Sequence, residues 1–321
     1  MSVIIRFVKE RITRFALFFS GCAVLASWSI AVVLIAAILG CRRAEQPPTP
    51  RSLSVRDDLS HVVTLRQNPQ RIVSLAPNVT EILFALGADS AVIGVTDYCD
   101  YPPAALTKPR IGGMLNPNLE RIIELRPDLV LMSGSGNIKS DYEKLTSSGI
   151  TVLVTYPRNV ENVLASITAI GTLTGRNQAA DSIAHALGQQ KEDLMRMAGD
   201  KPKQSVLMLL SLNPIVAIGP GTFVHELLTL ANAENIAREA TMAYPVLSRE
   251  AILRSQPDVL IATNDIVHST DDILRAYPEW KRLKAVQRGR VALVDASLVS
   301  RPGPRLIEGL RALISAIHPL K

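Results

Sequence analysis

The sequence contains very little cysteine, and this scarcity excludes a disulfide-stapled domain. Only three cysteines occur among 321 residues, and Cys22 and Cys41 lie within or at the end of an apolar N-terminal run. Cys99 is the single cysteine in the rest of the chain, which rules out a disulfide framework and a cysteine-rich metal site there. The five histidines show no metal-ligand spacing, so we expect no metal and no resident cofactor.

Unbalanced charge is also absent from most of the chain. The formal net charge of +6 arises entirely within residues 1–56, which contain eight basic and two acidic side chains. Residues 57–321 therefore carry no net charge. A neutral body lacks the basic surface that nucleic acid binding requires, so we expect no nucleic acid partner.

Catalytic motifs are missing as well. Ser133 and Ser135 do not lie in a G-x-S-x-G nucleophile turn, and Gly219-Pro220-Gly221 lacks the lysine of a phosphate-binding loop. We therefore expect a binding protein and not an enzyme. An extracytoplasmic enzyme is the less favoured alternative.

The N-terminus carries a long apolar run. Residues 15–41 contain no charged side chain and follow a basic segment, as in a secretory signal. Ile38-Leu39-Gly40-Cys41 resembles a bacterial lipobox, in which Cys41 would be lipidated. The run also exceeds the ~20 residues that span a bilayer, so an uncleaved anchor helix is the alternative. Both interpretations predict a leader at 1–41, a Pro-rich linker at 42–52 and a membrane-tethered, extracytoplasmic body.

A short phrase occurs twice in the body, about 130 residues apart. Residues 118–131 and 248–261 align without a gap, so that Glu120 matches Glu250 and the same Pro-Asp pair recurs. Each copy predicts a capped helix with a glutamate in its first turn, a Pro-Asp turn and a buried strand. Two such halves of a βαβ unit predict two related α/β lobes with a cleft between them.

Hydrophobic periodicity predicts the organisation of the body. Alternating strands and helices predict an N-terminal lobe at 53–158, which begins with a hairpin, and a C-terminal lobe at 202–321. The intervening segment 159–201 predicts two helices. The second, at 177–199, would be about 33 Å long and could cross between the lobes. The predicted fold class is α/β, with two Rossmann-like lobes of mainly parallel sheet joined by one long rigid helix.

Several polar and aromatic side chains receive local structural roles. We expect Asn78 and Glu81 to form a variant of the capping box that opens a helix. We interpret Asp97 and Asp100 as turn residues in a Pro-rich loop. Trp280 is expected to pack against a helix end.

Motifs spread along the body resemble those of one family. In chain order they are R-I-V-S-L-A-P-N-V-T-E-I at 71–82, D-Y-C-D-Y-P-P at 97–103, G-G-M-L-N-P-N-L-E at 112–120, R-P-D-L-V-L at 126–131, G-P-G-T-F at 219–223, Y-P-V-L-S-R-E at 244–250, Q-P-D-V-L at 256–260 and R-P-G-P-R-L at 301–306. In this order and at these spacings, the body resembles the extracytoplasmic solute-binding proteins of ABC importers for cobalamin, haem and iron-siderophores. It is most similar to the cobalamin-binding branch.

The resemblance implies a partner and a docking role for the repeated glutamates. Glu120 and Glu250 match the two lobe-surface carboxylates that, in this family, dock onto arginines of the permease dimer, which works with its ATPase. One exposed anion on each lobe suits a symmetric cationic partner.

The resemblance also implies a ligand, a cobalamin or another corrinoid, bound in the cleft. Tyr98 and Tyr244 match aromatic positions that cradle the corrin in the cobalamin binder, and Arg301 matches a basic residue on the rim of its second lobe. Met114 and Ser133 stand where that binder has tryptophans. Because this weakens stacking on a flat macrocycle, a ferric siderophore or haem on the same scaffold is the alternative.

A siderophore would use a different set of side chains. Arg158, Arg301 and Tyr156 could bind a catecholate or hydroxamate.

Overall fold

The computed structural model of the protein describes residues 52–319. The predicted leader, including Cys41, lies outside the described residues. Within residues 52–319, no helix is long and apolar enough to cross a membrane.

An antiparallel hairpin opens the described chain, as expected from the sequence. Its strands are β1 (Leu53–Arg56) and β2 (Val62–Leu65), which pair from Leu53↔Leu65 to Arg56↔Val62. The Asp57 carboxylate closes the turn by accepting hydrogen bonds from the backbone N–H groups of Leu59 and His61, at 3.0 and 2.7 Å.

The first lobe is built on a four-stranded parallel sheet in the order β4-β3-β5-β6. Its strands are β3 (Ile72–Ser74), β4 (Val92–Val95), β5 (Leu129–Ser133) and β6 (Val152–Thr155), and its helices are α1 (Pro77–Ala85), α2 (Leu119–Glu124) and α3 (Lys139–Ser147). Strands β3, β5 and β6 are buried at every residue, which explains why their sequences are almost continuously apolar.

Two helices follow the first lobe, as predicted, and the second has the predicted bounds. Helix α4 (Val160–Thr174) starts where the Asn159 side chain accepts a hydrogen bond of 2.7 Å from the Asn162 N–H. It ends at Gly175, which adopts a left-handed conformation at φ +68°. Helix α5 (Asn177–Gly199) has 23 residues.

The second lobe contains a five-stranded mixed sheet with the core order β11-β10-β7-β8. Its strands are β7 (Gln204–Leu212), β8 (Ile215–Ala217), β9 (Ala233–Asn235), β10 (Val259–Thr263) and β11 (Val291–Val294), and its helices are α6 (Phe223–Leu230), α7 (Arg249–Ser255), α8 (Thr270–Ala276), α9 (Lys284–Gln287), α10 (Ala296–Ser300) and α11 (Leu306–Ile317). Strands β9, β10 and β11 run parallel to β7, and β8 runs antiparallel to it. The expectation of mainly parallel sheets is confirmed.

One hydrophobic core is shared by both lobes. It joins residues of the first sheet, such as Ile72 and Leu129, to residues of the second, such as Met208, through Ile167 of α4 and Leu313 of α11. Helix α5 packs against both α4 and α11. A rotation of one lobe against the other would therefore have to open buried apolar contacts, which supports a stiff connection.

The repeated Pro-Asp pair has a structural role beyond turning the chain. The Asp128 carboxylate accepts backbone N–H groups of Gln70 and Arg71 at 2.8 and 2.9 Å, at the start of β3. The Asp258 carboxylate accepts the backbone N–H and the hydroxyl of Ser205 at 3.0 and 2.7 Å, at the start of β7. Each aspartate thus ties its own strand to the neighbouring parallel strand.

One predicted cap is wrong and two are confirmed. Asn118 and Ser248 cap α2 and α7, accepting hydrogen bonds of 2.9 and 3.1 Å from the N–H three residues ahead. Helix α1 instead starts after Ala76, whose side chain cannot cap, with Pro77 in its first turn. The predicted capping box of Asn78 and Glu81 does not form, because both residues already lie inside the helix.

Trp280 packs as expected. Its side chain is fully buried, and its ring stacks on Tyr277 with 4.5 Å between ring centroids. This tryptophan belongs to the core on one face of the second sheet, together with Leu209 and Leu260.

Candidate functional site

A cleft lies between the lobes at the carboxyl ends of first-lobe strands. Its cavity has a volume of 230 Å³ and is lined by both lobes. From the first lobe come Ser135, Tyr156, Pro157 and Arg158; from the second come Leu210, Ile218, Gly221, Thr222, Phe223, Val224, Ala243, Tyr244, Val299, Ser300 and Pro302. An apolar lining with a few polar side chains is typical of a small-molecule site, and crevices outside strand ends are where open α/β sheets bind ligands.

Aromatic side chains line the cavity from both lobes, Tyr156 from the first and Phe223 and Tyr244 from the second. Tyr156 follows β6, where its backbone N–H donates to the carboxylate of Asp58 in the hairpin turn. The guanidinium of Arg158 lies 4.6 Å from the centroid of the Tyr156 ring. Burial, together with the nearby Tyr156, raises the pKa of Tyr244, so this hydroxyl stays protonated at neutral pH and can donate a hydrogen bond.

The sequence-predicted ligand residues lie in different surroundings. Tyr244 lines the cavity and is 52% exposed. Tyr98 is 60% exposed, and its ring lies beside Gly113, near enough that a Cβ there would approach it to 3.8 Å. Met114 fills the space beside Gly136 that a Cβ would need.

Ser133 is buried, and its contacts are with its own loop. Its backbone N–H donates to the Asn137 side chain at 2.7 Å, and its hydroxyl pairs with that of Ser135 at 3.0 Å. The Asn137 amide in turn donates to the carbonyls of Leu75 and Met114. Ser133 therefore holds the loop, while Ser135 of the same loop lines the cavity.

Arg301 belongs to an ion-pair cluster that crosses between the lobes. Its guanidinium donates to Asp100 at 2.5 and 3.1 Å and to Glu81 at 3.3 Å, both on the first lobe. Arg305 forms a two-point interaction with the same Glu81, at 2.9 and 2.7 Å, and lies 4.0 Å from the centroid of the Tyr101 ring. Glu81 is only 2% exposed, so its carboxylate is paired with two arginines in the protein interior.

Asp100 is therefore more than the turn residue that the sequence suggested. The hydrogen bond from Arg301 lowers the pKa of Asp100, so the carboxylate stays charged well into the acidic range. The partners in the cluster are separated by 201 residues or more, which places them beyond any local sequence pattern.

A second polar contact also crosses between the lobes. The Glu226 carboxylate of α6 accepts a hydrogen bond of 2.5 Å from the Val160 N–H, the first residue of α4. Burial raises the pKa of Glu226. A carboxylate from the second lobe thus satisfies a backbone donor at the start of the helix that follows the first lobe.

The two repeated glutamates occupy equivalent positions. Glu120 lies in the first turn of α2 and Glu250 in the first turn of α7, and both side chains are exposed. Exposed apolar side chains lie just ahead of each in the chain, Leu115 before Glu120 and Val246 before Glu250.

A second cavity lies within the first lobe. It has a volume of 510 Å³ and a mainly apolar lining that includes Leu59, Met132, Ile138, Tyr142 and Val154. No second-lobe residue contributes to its lining, so of these two cavities the smaller one is shared by the lobes.

Two α/β lobes with a cavity lined from both are the construction of a solute-binding protein. The family model described as periplasmic binding protein matches residues 72–298. The chain belongs to this family, whose members bind solutes outside the cytoplasm.

Comparison with known proteins gives the same class. The chain is 33% identical to an uncharacterised ABC transporter substrate-binding lipoprotein, YvrC of Bacillus subtilis, over 90% of this chain and 96% of that protein. It is similar to the solved periplasmic vitamin B12 binding protein BtuF of Vibrio cholerae, with a TM-score of 0.71 and 28% identity over 78% of this chain and 96% of that one. The periplasmic haem binding protein HutB of Vibrio cholerae matches with a TM-score of 0.70 and 26% identity, over 78% and 99% of the two chains.

Proposed function

We propose that this protein captures a cobalamin or related corrinoid outside the cytoplasm and delivers it to an ABC permease and its ATPase. The observation that carries the proposal is a cleft lined from both lobes, with a tyrosine on each side, in a chain similar to a vitamin B12 binding protein. Large flat ligands bury apolar faces well against aromatic rings.

The size of the cavity defines how such a ligand would be held. At 230 Å³ the cavity is smaller than the ~300–1,000 Å³ of pockets that enclose drug-sized ligands. A corrinoid would therefore fill the cavity with one part and leave the rest at the rim. Tyr98 and Tyr244 are half-exposed aromatic side chains and would support that outer part.

Delivery would depend on the two glutamates. Glu120 and Glu250 present one exposed carboxylate on each lobe, which suits docking onto paired cations of a permease dimer. Because the lobes share one core and the charged cluster, we infer that they move only slightly until docking pulls them apart.

The membrane tether would be a lipid on Cys41. The sequence Ile38-Leu39-Gly40-Cys41 and the similarity to a substrate-binding lipoprotein support this choice over an uncleaved anchor helix. Radiolabelled fatty acid should be incorporated into the wild type and not into a Cys41→Ala variant.

The stacked pair of Arg158 and Tyr156 favours a second candidate ligand. The guanidinium of Arg158, held on the Tyr156 ring, could bind the carboxylates of haem or the iron-bound oxygens of a siderophore. The similarity of the chain to a haem binding protein supports the same candidate.

Calorimetric titration of the full chain, purified in detergent, tests both candidates. We expect cyanocobalamin to bind with one site per chain and more tightly than haemin or ferrichrome. Tighter binding of haemin or ferrichrome would favour the second candidate, and binding of none of them would contradict the proposal.

A further inference from the structure

Arg301 lies in a segment of the chain that lines the binding cleft. Its chain neighbours Ser300 and Pro302 both line the cavity. Yet the Arg301 side chain is only 18% exposed, because Asp100 and Glu81 already occupy its guanidinium. An incoming anion would therefore have to compete with a carboxylate of the protein.

The two carboxylates differ in how firmly they are held. Glu81 is buried and accepts three hydrogen bonds from Arg301 and Arg305. The Asp100 side chain is 58% exposed, and its ion pair is with Arg301. Because Asp100 is already largely exposed to water, releasing it from Arg301 costs only a weak ion pair. Releasing Glu81 would instead leave an unpaired charge in the protein interior. Asp100 is the partner that a ligand could displace.

The cluster as a whole carries no net charge, since two arginines face two carboxylates. Arg158 is the other arginine at the cleft, and it contacts the Tyr156 ring. While Asp100 pairs with Arg301, the guanidinium of Arg301 is therefore not free to bind an anionic ligand.

We propose that Asp100 is a selectivity residue that neutralises Arg301 and makes the cleft favour chelates without net negative charge over anionic ones. This inference rests on the proposed function, because it assigns a charge class to the metal-chelate that the cleft binds. A neutral corrinoid would bind with the ion pair intact. A haem carboxylate or a catecholate complex would have to displace Asp100 and would be repelled by it when displaced.

The Asp100→Asn variant tests the proposal on the full chain in detergent. The two affinities are measured by titration with haemin, which is anionic, and with cyanocobalamin, which is neutral. We expect the ratio of haemin affinity to cyanocobalamin affinity to rise about three- to tenfold, the range expected when an exposed ion pair and its repulsion are removed. Asp97→Asn is the matched control, because Asp97 is an exposed aspartate of the same loop. It should leave the ratio unchanged.

A second variant separates selectivity from a general effect on the lobes. In Asp100→Asn combined with Arg301→Gln, the rise in the ratio should disappear. An unchanged ratio in Asp100→Asn, or equal changes for both ligands, would overturn the proposal. If the wild type does not bind cyanocobalamin, the proposed function fails, while the haemin affinities of wild type, Asp100→Asn and the double variant still decide the role of Asp100.

Discussion

The contact between Arg305 and Glu81 offers a direct test of how the lobes are held together. Replacing Arg305 with Met removes the two-point interaction with a carboxylate that is 2% exposed. Breaking a buried ion pair by removing one partner costs about 3–5 kcal/mol. Arg301 still donates to Glu81 at 3.3 Å, so we expect a loss of about 2–4 kcal/mol in the free energy of unfolding.

Urea unfolding of the full chain in detergent, followed by circular dichroism, measures this loss. The matched control is Arg311→Met, which removes the same group from an exposed position on helix α11, the helix that Arg305 directly precedes, and should change stability by less than about 0.5 kcal/mol. Adding Glu81→Gln to Arg305→Met should restore part of the stability, because the unpaired buried charge is gone. Equal stability of the two single variants would refute the reasoning.

Two further predictions concern the repeated phrase. The hydrogen bond from Lys284 lowers the pKa of Asp258 to about 2 from its usual 3.8, so its stabilising effect is present above about pH 4 and is lost as the pH falls through about 2. Asp258→Asn should therefore cost about 2 kcal/mol in urea unfolding at pH 6, and the difference from wild type should vanish near pH 2. The exposed Asp265→Asn is the control, and a difference that persists at pH 2 would contradict this origin. Glu120→Ala combined with Glu250→Ala should abolish cobalamin uptake by cells while the purified variant keeps the wild-type ligand affinity. Uptake at the wild-type level, or a loss of affinity, would contradict the docking role.

Local signals in the sequence predicted most of the fold. Asn159 and Gly175 delimit α4 because a cap and a left-handed glycine act within one turn of the helix end. The duplicated Pro-Asp pair indicated two related halves because each aspartate meets the same need at the start of a parallel strand. Tyr244 could be assigned to the cleft because its segment, Y-P-V-L-S-R-E, resembles a motif of the family.

The charged cluster could not be predicted from the sequence, for a physical reason. Glu81 and Asp100 find their partners 201 to 224 residues away, and only the packing of the lobes brings them together. Glu81 also lies three residues after Asn78, a spacing that imitates a helix cap. Because the helix starts at Pro77, Glu81 lies inside the helix, where its carboxylate pairs with arginines and does not cap the helix. Two arginines four residues apart in R-P-G-P-R were the available signal.

Binding of cyanocobalamin to variants of the two cavities tests the central claim most directly. Tyr244 lines the cleft between the lobes, and Tyr142 lines the larger cavity within the first lobe. We predict that Tyr244→Ala weakens binding by about tenfold, as expected when an aromatic side chain that contacts the ligand is truncated, and that Tyr142→Ala changes it by less than about twofold. Weakening by Tyr142→Ala with no effect of Tyr244→Ala would place the ligand outside the cleft and contradict the account.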